Sequence, residues 1–223
     1  MLSRIGFFAE LSEADRETVR ERCSRVQAKP KQVLVEQGGL DRDMYVVERG
    51  RLRISTISEE GKEIGIGVLE PGDTFGEMAM LDNEPRSATI TTMDFCELLK
   101  LSPEDFKTMV LEQPSLAFNL LGILAQRLRH TTKVYQDTVF RDIPARLAQF
   151  LLEFSHPSMH SEDEQVLDFS LSQYELGTLI NASRESVNKQ LREWEEQGVI
   201  RKNRGRIRLL DLDVLRTEAD QMI

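Results

Sequence analysis

The sequence predicts an α+β chain: an N-terminal antiparallel β-roll, one long helix and a C-terminal winged helix-turn-helix. Three observations predict it. Short alternating runs punctuated by glycine fill the stretch from Lys31 to Leu101, an apolar seven-residue repeat follows Pro114, and two short capped helical segments precede a basic hairpin. At 223 residues, with 40% apolar and 30% charged side chains, the chain has room for one large domain or two small ones and can bury a core.

The elements follow in chain order. A short helix opens the chain, with Ser12 and Asp15 at capping-box spacing. In the roll, Val33 and Val35, Leu52 and Ile54, and Ile64, Ile66 and Val68 each sit two apart, so each run turns one face inward. Gly38, Gly39, Gly50, Gly61 and Gly72 mark the turns, the last between Pro71 and Asp73. From Pro103 the pattern turns helical, with a break at Pro114.

Beyond that break Leu121, Leu128 and Tyr135 are seven apart, and Leu124, Thr131 and Thr138 repeat the interval three residues later. Such a seam zips against a second copy, giving a homodimer, or packs against the chain's own roll. Asp142, Ile143 and Pro144 then interrupt the helix as a hinge. The expected organisation is a roll over 1–113, a dimerisation helix and hinge over 114–143, and a helix-turn-helix domain over 144–223.

The third region opens with a helix ending near Phe154 and a polar loop from His156 to Gln165. Ser172, with Glu175 three residues on, caps a short helix that turns Leu176, Leu179 and Ile180 inward. Asn181 and Ala182 make a turn, and Ser183 caps a second helix burying Val187, Leu191 and Trp194. In this motif the second helix enters the DNA major groove N-terminus first, which places Arg184, Glu185, Asn188 and Lys189 at the base edges. Arginine grips guanine bidentately, glutamate accepts from cytosine N4, and lysine reaches a guanine or a phosphate. Arg201, Lys202, Arg204, Arg206 and Arg208 follow on a hairpin pattern, a basic wing beside the reading helix.

Net charge bounds the partners. The whole chain carries 29 basic and 38 acidic side chains, or −9, which disfavours indiscriminate binding to nucleic acid or to membranes. From Arg141 onward eleven basic against fifteen acidic side chains still leave −4, so DNA reading depends on charge focused locally at helix and wing. Cys23 and Cys96 are the only cysteines, too few for a structural zinc or an iron–sulfur cluster, and no metal is expected. No apolar run reaches the length of a membrane helix, and Met1 to Glu10 lacks a secretory apolar core, so the expected location is cytoplasmic. No motif groups a nucleophile, a base and an orienting acid, so an enzyme is not expected.

One segment of the roll exceeds turn composition. It runs Phe75, Gly76, Glu77, Met78, Ala79, Met80, Leu81, Asp82, Asn83, Glu84, Pro85, Arg86, Ser87, Ala88, Thr89. It resembles the phosphate-binding cassette of cyclic-nucleotide-binding domains, and with the long helix and the Ser-Arg-Glu-Ser-Val opening of the reading helix, essentially the whole chain resembles the bacterial cyclic AMP receptor protein family. The residues suit that chemistry. A cyclic phosphodiester is a compact monoanion, for which Arg86 offers a guanidinium and Ser87 a hydroxyl. Gly76 permits close backbone approach, Glu77 accepts a ribose 2′-hydroxyl, and a helical turn through Met78 adds amide donors. The structural alternative is a Glu77–Arg86 ion pair that ties down a loop.

The resemblance implies more. Thr131 and Thr132 stand where the family places hydroxyl residues that touch the purine, and cyclic AMP is the implied effector. A base wedged there biases the helix pair and so the reading helices. Arg184 and Glu185 match the family pattern, while Lys189 replaces an arginine, so a palindromic double-stranded site with TGTGA-like half-sites is implied with one guanine read loosely. Contacts with RNA polymerase are implied by the family alone. The same scaffold also allows another effector, either cyclic di-GMP or a haem with His130 as a ligand; no effector at all; or a nucleotide-binding module acting on a protein partner.

Overall fold

The computed structural model describes residues 13–158, 161–167, 171–203 and 206–221. Ser12 therefore lies outside the described residues, as do Arg204 and Gly205 of the wing. The chain divides into two compact units, one up to Arg129 and one from His130.

The first unit holds α1 (Glu13–Arg22), β1 (Ser24–Ala28), β2 (Val33–Val35), β3 (Met44–Arg49), β4 (Leu52–Ile57), β5 (Glu63–Leu69), β6 (Thr74–Phe75), α2 (Glu77–Asp82), β7 (Thr89–Thr92), β8 (Cys96–Leu101) and α3 (Pro103–Glu112). The strands form two four-stranded antiparallel sheets, ordered β1-β8-β3-β6 and β2-β7-β4-β5. The alternation read at Val33, Leu52 and Ile64 marks strands of the second sheet.

The first sheet is apolar on both faces. Tyr45 and Val47 of β3, with Cys96 and Leu98 of β8, pack inside the roll on Leu52, Leu69, Phe75 and Ile90. Met44, Val46, Leu99 and Leu101 point the other way, onto Val19, Phe106, Met109, Leu116 and Leu120 of the helices. That double burial explains why β3 opens Met-Tyr-Val-Val without a polar alternate. Burial pushes both thiols up to about 11, so neither is a reactive thiolate.

Ser102 accepts the Asp105 amide to start α3, and after the break at Pro114 the long helix α4 runs Ser115–Phe140. Its first turns bury Leu116 and Leu120 against the roll, with Ile123 and Leu124 partly covered. Leu121, Leu128 and Tyr135 are instead 60–71% exposed, so packing on the roll does not use this heptad stripe.

The second unit continues with α5 (Ile143–Phe154), β9 (His156–Ser158), β10 (Ser161–Leu167), α6 (Gln173–Leu179), α7 (Arg184–Glu196), β11 (Ile200–Asn203), β12 (Arg206–Leu209) and α8 (Leu212–Ala219). Asp142 caps α5 by accepting the Ala145 amide, and Pro144 falls in the first turn, where its missing N–H costs nothing. The described residues of the stretch from His156 to Gln165 are corrected from a loop to strand: β9 and β10 join β11 and β12 in a sheet ordered β11-β12-β10-β9. Backbone pairing such as Gln165↔Leu209 and Leu167↔Ile207 makes this strand, while its charged composition hid the period of two.

Candidate ligand and nucleic-acid sites

The cassette is built where β6 meets α2. Tyr45 and Phe75 stack at 4.9 Å across the β3–β6 pair, which fixes the chain just before Gly76. Gly76 has φ +87 and is the residue from which α2 starts. A Cβ there would lie 2.5 Å from both the Asp43 carbonyl and Arg86 Nη1, so only glycine lets the guanidinium approach. Arg86 Nη1 donates to the Gly76 carbonyl at 2.9 Å, and Nη2 donates to the Asp43 carbonyl at 2.6 Å. Its remaining partner is Asp41, whose Oδ1 accepts from both Nε and Nη2.

Glu77 is 1% exposed and does not pair with Arg86, which corrects the ion pair considered from sequence. Its Oε1 instead accepts from Arg127 of α4, which also donates to the Thr74 carbonyl at 2.6 Å. Among the described residues, the buried side-chain acceptors Glu77 Oε2 and Thr74 Oγ1 have no partner. Met78 and Ser87 are exposed beside the cassette, the Ser87 hydroxyl reaching only the Met78 sulfur at 3.7 Å. The structure thus groups Gly76, Glu77, Met78, Arg86 and Ser87. Thr131 and Thr132 are exposed on α4 within the second unit.

The helix-turn-helix has the expected caps. Ser172 and Glu175 complete both halves of a capping box, and Ser183 accepts the Ser186 amide at the start of α7. Between them Asn181 adopts φ +53 and Ala182 N–H donates to the Gly177 carbonyl at 2.8 Å. A Cβ on Gly177 would stand 2.7 Å from the Ala182 carbonyl, so the tight turn also depends on this glycine. Arg146 of α5 holds the turn by donating to the carbonyls of Ile180 and Asn181 at 2.7 and 3.1 Å. Burial lowers its pKa below the usual arginine value.

Val187, Leu191 and Trp194 bury one face of α7, leaving Arg184, Glu185, Lys189 and Arg192 exposed on the other. Asn188 is partly withdrawn, its Oδ1 accepting from Gln173 at 3.0 Å. In the wing Arg201 lies opposite Arg208 and Asn203 opposite Arg206, with Arg201 and Arg206 exposed. Lys202 ties the wing to α7: its ammonium and its backbone N–H both reach Glu195, each at 2.9 Å. Both bonds hold the Glu195 carboxyl below its usual pKa. Among the described residues no group of three or more His, Cys, Asp or Glu side chains is placed to hold a metal, and no single helix is long and apolar enough to cross a membrane.

Sequence reasoning missed Asp41, Arg127, Arg146, Gln173 and Arg192. Only Arg192 left a local signal, at i+3 from Lys189 on the exposed face. The others act across the fold.

Comparison with known proteins agrees with this architecture. Residues 25–113 match the cyclic nucleotide-binding domain, and residues 145–218 match the Crp-like helix-turn-helix domain. The chain is 31% identical over 189 residues to the cyclic AMP receptor protein of Thermus thermophilus, covering 85% of this chain and 83% of that protein. It is 27% identical, over 90% of each chain, to a CRP-like cAMP-activated global transcriptional regulator of Mycobacterium tuberculosis. Among solved structures, a CRP/FNR-family regulator of Thermus thermophilus superposes with a TM-score of 0.74 at 25% identity, covering 89% of this chain and 99% of that one. A c-di-GMP-responsive global regulator of Xanthomonas campestris shares the fold with a TM-score of 0.77 at 21% identity and the same coverage. A roll with a buried arginine cassette and a winged helix-turn-helix, matched along most of the chain, place this protein in the cyclic AMP receptor protein family of ligand-responsive, DNA-binding transcription regulators, which are not enzymes.

Proposed function

We propose that this regulator is a homodimer that binds cyclic AMP in the roll and thereby changes its affinity for palindromic DNA in the cytoplasm. One observation carries the ligand reading. Within a single cassette, a buried guanidinium stands one residue away, through Gly76, from a buried carboxylate whose Oε2 has no donor. A ribose 3′,5′-phosphodiester offers an anion that can compete for Arg86 and a 2′-hydroxyl, the donor that Glu77 Oε2 lacks. Ser87, bonded only to a thioether, is free to donate to a phosphate oxygen. The relatives named as cyclic AMP-dependent favour that nucleotide, and Thr131 and Thr132 add the hydroxyls expected for a purine.

The dimer reading rests on the exposed stripe of Leu121, Leu128 and Tyr135. The DNA reading rests on Ser183, Arg184, Glu185 and Lys189 at the N-terminal end of α7, with Asn188 orienting through Gln173, and on Arg206 and Arg204 of the wing. Coupling requires that the ligand bind the two states of the dimer unequally.

Titration calorimetry of the full chain against cyclic AMP, cyclic GMP and cyclic di-GMP tests the ligand. Saturable binding of cyclic AMP, lost in Arg86→Leu, is the expected result. Binding of cyclic di-GMP alone, or undiminished cyclic AMP binding by Arg86→Leu, overturns it. Footprinting on palindromic DNA with and without the bound nucleotide then tests coupling, and equal protection in both states removes the switch.

A further inference from the structure

A guanidinium has five N–H groups. In Arg86 four hydrogen bonds are already made within the roll: Nε and Nη2 to Asp41 Oδ1, Nη2 to the Asp43 carbonyl, and Nη1 to the Gly76 carbonyl. Five less four leaves one N–H, on Nη1. A phosphodiester gripped by a planar fork needs two parallel N–H groups, and the Nε–Nη2 edge of Arg86 is held by a carboxylate. The cassette that an incoming anion must enter is therefore already neutralised.

The three partners of Arg86 are not equivalent. The Gly76 and Asp43 carbonyls belong to the backbone, at the start of α2 and at the entry to β3, and cannot leave without moving those elements. Asp41 is a side chain. Its carboxylate is 47% exposed while the Arg86 side chain is 2% exposed, so rotation of Asp41 carries its charge into water at little cost. Its loop stays in place meanwhile, because Gly38 N–H donates to the Arg86 carbonyl at 2.8 Å and Arg86 N–H to the Gly39 carbonyl at 2.9 Å. A phosphate seated while Asp41 stayed on Arg86 would meet a like charge across one guanidinium.

Building on the cyclic-nucleotide reading of the roll, we propose that Asp41 is a resident counter-anion of the cassette. Its carboxylate holds Arg86 in the absence of ligand, and a cyclic phosphodiester takes the guanidinium by displacing it. Asp41 thus sets the affinity threshold of the site. A residue that merely aligned Arg86 for ligand would act in the opposite sense, since its loss would weaken binding.

The test uses the full chain as wild type, Asp41→Asn and Asp41→Asn/Arg86→Leu. Calorimetry with cyclic AMP is expected to show Asp41→Asn binding about ten- to a hundredfold tighter than wild type, the factor expected when the two hydrogen bonds to Arg86 keep their acceptor and lose its charge. Unchanged or weaker binding overturns the proposal and leaves the ligand reading intact. A second arm needs no nucleotide. Inorganic phosphate is expected to raise the thermal midpoint of Asp41→Asn, whose buried guanidinium lacks its counter-charge, and to leave wild type and the double variant unmoved. An equal phosphate response in all three proteins overturns the proposal even if no cyclic nucleotide binds, a result that separately removes the ligand reading. Asp41→Ser carries the same comparison should Asp41→Asn fail to fold.

Discussion

The two charged surfaces of this molecule are built on opposite plans. In the roll, the charged groups of the cassette are each already paired: Arg86 with Asp41, and Glu77 with Arg127. On the exposed face of α7 and in the wing, Arg184, Lys189, Arg192, Arg201 and Arg206 make no ion pair with another described residue. If a ligand displaces Asp41 from Arg86, as proposed above, that exchange would give the site a threshold. An open cationic face meets a polyanion directly, and its affinity follows the salt concentration through counterion release. The difference also bears on how a chain of net charge −9 can meet DNA: Arg184, Lys189, Arg192, Arg201 and Arg206 stay clear of ion pairs with other described residues, so positive charge is focused locally despite the overall sum.

The comparison breaks first, and with the largest effect, at the closed site. Arg127→Ala leaves the Glu77 carboxylate buried and uncompensated, and removing one partner of a buried pair costs about 3 kcal/mol of stability. We place it at the low end of the usual range because the Arg127 side chain is 32% exposed and water reaches the gap. Urea unfolding followed by circular dichroism measures it, and Glu77→Gln in the same background should recover part of the loss. A wild-type midpoint in Arg127→Ala would mean the pair does not hold the roll.

How much of this was legible follows from how local each signal is. The helix-turn-helix could be read because caps at Ser172 and Ser183 and the Val187–Leu191–Trp194 stripe are set by spacings of three and four residues. Gly76 and Arg86 were readable because ten residues separate them in one cassette. Their outer partners were not: Asp41 is 45 residues from Arg86, and Arg127 is 50 from Glu77. Nothing in the composition around Asp41 or Arg127 distinguishes a structural ion pair from a solvated charge. Strands β9 and β10 escaped for a different reason, since backbone pairing of β10 to β12 and of β9 to β10 makes them strand whatever their side chains.

At the open face the same kind of substitution moves binding and not stability. Arg184→Ala should leave unfolding, followed by the fluorescence of the single tryptophan Trp194, within about 0.5 kcal/mol of wild type. It should cost about 1–3 kcal/mol on a palindromic site and relax discrimination at one base pair. Arg206→Ala sharpens the contrast: it should weaken specific and random DNA alike and reduce the salt slope by about one. Competition binding over a salt series distinguishes the two, and equal losses on specific and random DNA for Arg184→Ala would remove it from base readout.

The smallest effect belongs to the Lys202–Glu195 ion pair, which joins α7 and the wing. Glu195 accepts from the Lys202 ammonium and from the Lys202 backbone N–H, which lowers its pKa below the ordinary 4.5. A carboxyl with a depressed folded-state pKa contributes stability above its unfolded value and loses that contribution as pH falls through the folded one. The wing should therefore be fully attached at neutral pH and loosen only below about pH 4.5. Both side chains are about a third exposed, so solvent screening holds the contribution to roughly 0.5 kcal/mol or less. Amide hydrogen exchange of β11 and β12, followed from neutral pH downward through the acid range and compared between wild type and Glu195→Gln, measures it after correction for intrinsic rates. Wild type should lose its extra protection at low pH and converge on the variant; a constant difference across that range would mean that Lys202 holds the wing without the charge on Glu195.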